Sequence, residues 1–107
     1  MYKNIEKNIK LCLKDEIAYE PKQVVSKTLV QNENVSMTLF SFDKGEEISS
    51  HAAPGDAMVT VLDGKGRFTV GEKVFLLEAG ETIIMPKNVP HAVFAEEKFK
   101  MQLTISF

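Results

Sequence analysis

The chain contains two histidines, His51 and His91, and no others. Imidazole titrates near neutral pH, so two such rings could move a proton, hydrogen-bond a ligand or donate nitrogen to a transition metal. For a first-row metal two nitrogens are too few, and oxygen or further nitrogen donors would have to join them. Covalent chemistry finds no support, because there is no Gly-x-Ser-x-Gly elbow, no zinc-type cysteine pair and no serine and histidine nucleophile arrangement. Cys12, flanked by Leu11 and Leu13, has no partner for an internal disulfide and is expected to be inert apolar packing. Plainer readings compete at both histidines: His51 as a half-exposed strand-entry residue bonded to backbone, and His91 as a residue set by Pro90 at a turn.

The histidines stand in an ordered frame of glycines and a proline. GEEISSHAAPGDAMVTVLDG runs from Gly45 through His51 to Gly64, and GETIIMPKNVPHAVFA runs from Gly80 through Pro86 to His91 and Ala95. These two stretches resemble the signature motifs of a small single-domain cupin. The first motif of that family is a Gly, five residues, His-x-His, three or four residues, Glu, six residues and a Gly. The second is a Gly, five residues, Pro-x-Gly, two residues, His, three residues and Asn. Gly45, His51, Gly64, Gly80, Pro86 and His91 match, while Ala53, Ala57, Asn88 and Ala95 stand where the family has His, Glu, Gly and Asn.

The resemblance covers roughly residues 24 to 107 and implies an all-β fold, an antiparallel double-sheet barrel of jelly-roll type with a short N-terminal arm. It also implies that His51 and His91 occupy metal-ligand positions, with half of the ligand set absent. The expected cofactor is one divalent transition metal, Fe, Mn, Ni, Cu or Zn, held weakly, or no metal at all. Asp56 is the first candidate for the missing oxygen donor. Strand alternation turns it away from the Ala57 face, whereas the irregular backbone allowed by Pro54 and Gly55 could turn it back; otherwise its carboxylate makes a turn bond to nearby backbone. Replacement of His and Glu by Ala53 and Ala57 predicts a larger, less polar cavity; Met85 and Met101, with Phe42, Val59, Val61, Val93, Leu103 and Ile105, are available to line it, although ordinary core is the plainer reading for each and only a minority would touch a ligand.

Three functions remain open on this reading. The leading one is a small-molecule-binding protein with a His51 and His91 pocket. The second is a metal-dependent oxygenase, isomerase or lyase, in which waters and substrate oxygens complete the shell. The third is a sensory domain that works with a separate regulator, since the chain has no helix-turn-helix. Tyr2 and Tyr19 lie in the arm, so the His and Tyr acid-base pair of cupin-like sugar epimerases has no obvious counterpart. Arg67, beside Phe68 in an alternating strand, is expected to face outward into solvent.

The elements that must position these residues are short strands. After Pro21 the runs VVSKTLV, VSMTLFSF, MVTVL, RFTV, KVFLL, TIIMP, HAVFA and KMQLTISF are rich in Val, Ile, Phe and Thr, and turn chemistry separates them. Gly64 and Gly66 are read as a hairpin turn, because no helix follows to make a phosphate loop. Residues 1–23 form the arm, with a short helical turn around Lys14 to Ala18, and residues 24–107 form the barrel domain. A chain of 107 residues with 44% hydrophobic and 26% charged residues is one ordinary globular domain. The net charge of −2 gives no field that would draw nucleic acid or an anionic membrane. MYKNIEKNIKLCLKDE has no signal-peptide core, which predicts a cytoplasmic protein. Open sheet edges and the apolar arm predict a homodimer.

Overall fold

The computed structural model describes residues 1–107. Eight strands follow one turn of 3-10 helix at Leu13–Glu16: β1 Val24–Gln31, β2 Val35–Phe42, β3 Glu47–His51, β4 Asp56–Val70, β5 Lys73–Glu78, β6 Thr82–Met85, β7 His91–Phe94 and β8 Phe99–Ser106. Every pairing is antiparallel. The first sheet runs β1-β2-β8-β4-β6 and the second β5-β4-β7-β3, so β4 belongs to both. Its residues 56–64 pair with β8 and its residues 65–70 with β5.

That shared strand corrects the hairpin expected at Gly64 and Gly66. The chain does not reverse there; one strand bends from the first sheet into the second through a bulge between Val61 and Asp63. The extra residue resets the two-residue alternation. Ala57, Val59 and Val61 are buried before it, and Gly66 and Phe68 after it. Glycine serves this corner by its size as well as its backbone freedom. Gly64 has φ +75° and its missing Cβ would collide with the Lys98 carbonyl oxygen, while a Cβ on Gly66 would lie 2.8 Å from the Phe99 ring.

The Phe99 ring fills the corner. It stacks on Phe42 with centroids 4.6 Å apart and meets Phe68 edge-on at 5.9 Å. Around these rings pack Ala57, Val59, Val61, Leu77, Met85, Val93, Ala95 and Met101, all buried. β3 was not among the expected strands, since EISSH offers a single apolar residue, Ile48, to an edge of the second sheet.

The outer face of the first sheet is roofed by the arm. Ile17 packs with Leu29 and Leu39, the Ser41 hydroxyl donates to the Ala18 carbonyl at 2.7 Å, and the Tyr19 hydroxyl donates to Asp63 Oδ2 at 2.6 Å. Burial, together with the Asp63 carboxylate, pushes the Tyr19 phenol well above its ordinary pKa. Lys98 and Lys100 each place their ammonium 4.8 Å from the centre of the same ring. Cys12 is exposed, contrary to its expected packing, while Ile5 and Ile17 on either side of it in the arm pack against the first sheet. The outer face of the second sheet carries no such cover. There Val74 and Leu76 are exposed, and Arg67 is paired with Glu96 at 2.6 Å over the Phe94 ring, not free in solvent.

The β4 corner yields a direct test. Gly66→Ala should lower stability by about 1–3 kcal/mol through overpacking against Phe99, and Gly64→Ala should cost at least as much because its φ is also strained. Urea unfolding of the two variants measures both, and wild-type midpoints would contradict the close approach.

Candidate functional site

The alternation of a strand places residues three apart on opposite faces, so Ile48 and His51 would not ordinarily share one. A bulge in β3 removes the conflict. Ile48 lies opposite Val93 and His51 opposite His91, three steps on β3 against two on β7. The extra residue at Ser49 and Ser50 swings His51 onto the side of the sheet that already carries His91, Val93 and Ala95. His91 is buried at 4% exposure whereas His51 is exposed, so the pair stands at the boundary of core and solvent.

The two rings meet through their Nε2 atoms, 3.1 Å apart, with ring centroids 4.3 Å apart and planes at 69°. Each Nδ1 lies against the backbone carbonyl two residues earlier, His51 on Ser49 at 2.9 Å and His91 on Val89 at 3.2 Å. A carbonyl only accepts, so both Nδ1 atoms carry the hydrogen, and in the neutral rings both Nε2 lone pairs converge. That arrangement favours a positive guest between them, a proton or a metal ion. It tolerates one positive charge better than two: burial first, and then the neighbouring His51, hold the His91 pKa below its ordinary 6.5.

The metal geometry can be stated from the donors alone. Two bonds of about 2.1 Å to a common ion would span 3.1 Å at an angle of roughly 95°, close to that of adjacent positions in an octahedral shell. The pair therefore fits two such positions. No third His, Cys, Asp or Glu joins it. Asp56 does not supply the missing oxygen: its side chain is exposed on the outward phase of β4, and Oδ1 accepts the Lys87 backbone N–H at 2.8 Å. With the Asn88 N–H donated to the Ala53 carbonyl at 2.9 Å, this bond fastens the turn before His91 to the loop after His51. Asn88 has φ +63°, a left-handed conformation that Asn accepts more readily than most residues, which explains how it replaces a Gly.

The residues available to line the barrel take the plainer role and lie in or against the packed core. Ala53, Ala57, Met85 and Met101 are all buried, and the last three lie in the central packed cluster, with Ala57 directly opposite Met85 in the β4 and β6 register. Phe42, Phe68, Phe99, Met85 and Met101 are all buried in that cluster. An apolar hollow of about 490 Å³ instead lies between β5 and β6, which pair with different halves of β4 and not with each other. Val70, Phe75, Ile83 and Val89 line it, with Glu72 and Lys73 also contributing. Two of these adjoin His91, since Val70 is its register partner on β4 and Val89 holds its Nδ1. Sequence reasoning missed the Ser49 and Val89 carbonyls, because every residue carries one and no side-chain type marks their role.

The depressed His91 pKa sets a sign for pH. Above its ordinary value the ring is neutral whether folded or unfolded and costs nothing. As pH falls through 6.5 the unfolded chain takes up a proton that the folded ring resists, so stability falls until the lower folded pKa is reached. We expect the thermal unfolding midpoint to fall as pH is lowered from 7.5 to 5.5, roughly the window of this titration. His91→Asn should flatten that slope, and NMR should show the His91 ring titrating below 6.5; a ring titrating above that value would contradict the burial argument.

A family model described as "Cupin domain" matches residues 38–107. Among solved structures, a conserved protein of unknown function from Streptococcus pyogenes is 43% identical, with a TM-score of 0.95 over 98% of this chain and 92% of its own. A cupin superfamily protein from Desulfitobacterium hafniense is 28% identical, with a TM-score of 0.95 over 100% of this chain and 98% of its own. A cupin 2 conserved barrel domain protein from Leptotrichia buccalis is 47% identical with a TM-score of 0.86, and it aligns to 88% of this chain over 46% of its own length. No curated protein matches. No helix is long and apolar enough to cross a membrane.

Proposed function

The chain belongs to the cupin family, and from that premise we propose that it binds a small molecule with the His51 and His91 pair as its polar focus and a metal site reduced to two protein ligands. The observation that carries this reading is the convergence of the two Nε2 atoms at 3.1 Å where core meets solvent. Both orientations are fixed by backbone carbonyls, so the donors are held ready before a guest arrives. The hollow beside Val70 and Val89 offers the apolar part of a ligand a place next to His91. With few polar groups to match, such a ligand would be small and mostly apolar with one oxygen or nitrogen function.

The metal-dependent enzyme remains the second reading, favoured by the angle that the two nitrogens would make at an ion. His51 and His91 would hold Fe, Mn, Ni, Cu or Zn, and the ion would supply Lewis-acid polarisation of a ligand oxygen. The chain's own residues would hold two positions, keep both Nε2 atoms unprotonated and shield the His91 side from water.

Removal of one imidazole tests the focus. His51→Ala should abolish binding of nickel, measured by calorimetry, while changing stability by less than about 1 kcal/mol because the side chain is exposed. Undiminished nickel binding in the folded variant would refute the pair as the site.

We further propose a homodimer formed through the bare outer face of the second sheet, supported by the exposure of Val74 at 60% and Leu76 at 53%. Light scattering should give twice the chain mass of 12.0 kDa. Val74→Lys with Leu76→Lys should return it to the single mass, and a strictly monomeric wild type would remove the proposal.

A further inference from the structure

Residues Lys14 to Glu20 form a strap that lies on the outer face of the first sheet without joining it. None of their backbone groups bonds a backbone group of a strand in that sheet. Side chains from three strands hold the strap by alternate carbonyls instead. Lys100 Nζ of β8 donates to the Lys14 carbonyl, Lys27 Nζ of β1 to that of Glu16 at 2.9 Å, and the Ser41 hydroxyl of β2 to that of Ala18 at 2.7 Å. Ser41 is fully buried, and the Ala18 carbonyl is the one partner of its hydroxyl. Every residue has a carbonyl, so these three bonds select an extended main chain and little of its sequence. Side-chain selection falls to Ile17, 5% exposed and packed with Leu29 and Leu39, and to Tyr19, whose hydroxyl meets Asp63. Charge adds to it: the strap carries Asp15, Glu16 and Glu20, whereas the sheet presents Lys27 at 3.9 Å from the Glu16 carboxylate, and Lys98 and Lys100 over the Tyr19 ring.

We propose that this face is a docking groove for an acidic, extended segment of another protein, one that carries a branched aliphatic residue and a tyrosine two positions later. The strap is an autoinhibitory occupant of the same groove. Its contacts define what fits there: three main-chain carbonyls, an apolar side chain over Leu29 and Leu39, a phenol on Asp63 and negative charge beside the lysines. The groove is independent of the histidine pair and of the outer face of the second sheet. Residues 20–23 alone tether the strap to β1, so it competes from an effective concentration in roughly the millimolar range. A free segment at micromolar concentration therefore enters only where the strap has loosened, and its apparent affinity scales with the fraction of chains whose groove is open.

Fluorescence anisotropy on the full chain, with a labelled peptide of residues 14–20, tests the groove. Ile17→Ser combined with Tyr19→Ala weakens the strap and leaves every groove residue in place. The peptide should bind this double variant about a hundredfold tighter than wild type, and Tyr19→Phe, which loses one hydrogen bond to a carboxylate, about tenfold tighter. A peptide with serine in place of the isoleucine should bind neither variant, and added salt should weaken the complex. Equal binding of the peptide by wild type and both variants, no binding to either folded variant, or equal binding of the serine peptide would overturn the proposal. If the double variant does not fold, Tyr19→Phe decides by the same tenfold criterion. Displacement of the bound peptide by an equimolar amount of wild-type chain would give the groove to the strap of a second copy and overturn its assignment to another protein.

Discussion

One extra residue in β3 sets the terms for the candidate site. The two-residue repeat of a strand is unforgiving: a shift by one position sends every following side chain to the opposite face. Ile48 must point inward, where it packs against the core, and His51 comes three residues later. Only the bulge at Ser49 and Ser50 lets both face the same way, and only then does His51 fall opposite His91 across the β3 and β7 ladder. The same bulge brings the Ser49 carbonyl to His51 Nδ1, so one irregularity fixes the position of the ring and its tautomer.

A second bulge does comparable work for the barrel. At the corner of β4 it keeps the inward phase on Ala57, Val59 and Val61 before the bend and on Gly66 and Phe68 after it, so one strand lines both sheets. The aromatic packing of Phe42, Phe68 and Phe99 depends on that continuity and on the absence of a Cβ at Gly66. Around this centre the molecule is asymmetric. The first sheet is covered by the Ile17 to Tyr19 strap, and the second is bare.

The frame of the fold was legible because glycines, a proline and two histidines keep fixed separations, and those separations reflect backbone turns that other residues fill poorly. Short β-branched runs likewise announced most strands. The Gly64 and Gly66 corner was misread since glycine serves a tight turn and a crowded strand crossing alike, and residue type does not distinguish them. β3 escaped because an edge strand with one inward apolar residue has almost no periodic signal. The ring pairing could be anticipated from the motif positions, but neither the bulges nor the carbonyl partners could, as both depend on long-range register. Asp56 shows the limit clearly: alternation correctly turned it outward, yet its partner, the Lys87 N–H, lies thirty-one residues away.

The position of β8 bears on how the nascent chain matures. β8 follows every other strand in sequence, yet it sits inside the first sheet, between β2 and β4. Until Phe99–Ser106 has been made, the edges of β2 and β4 that pair with it in the fold have no partner, and Phe42 has no Phe99 to stack on. Completion of the barrel is thus deferred to the synthesis of a single late segment, and the waiting strands are open to mispairing in the crowded interval before it arrives.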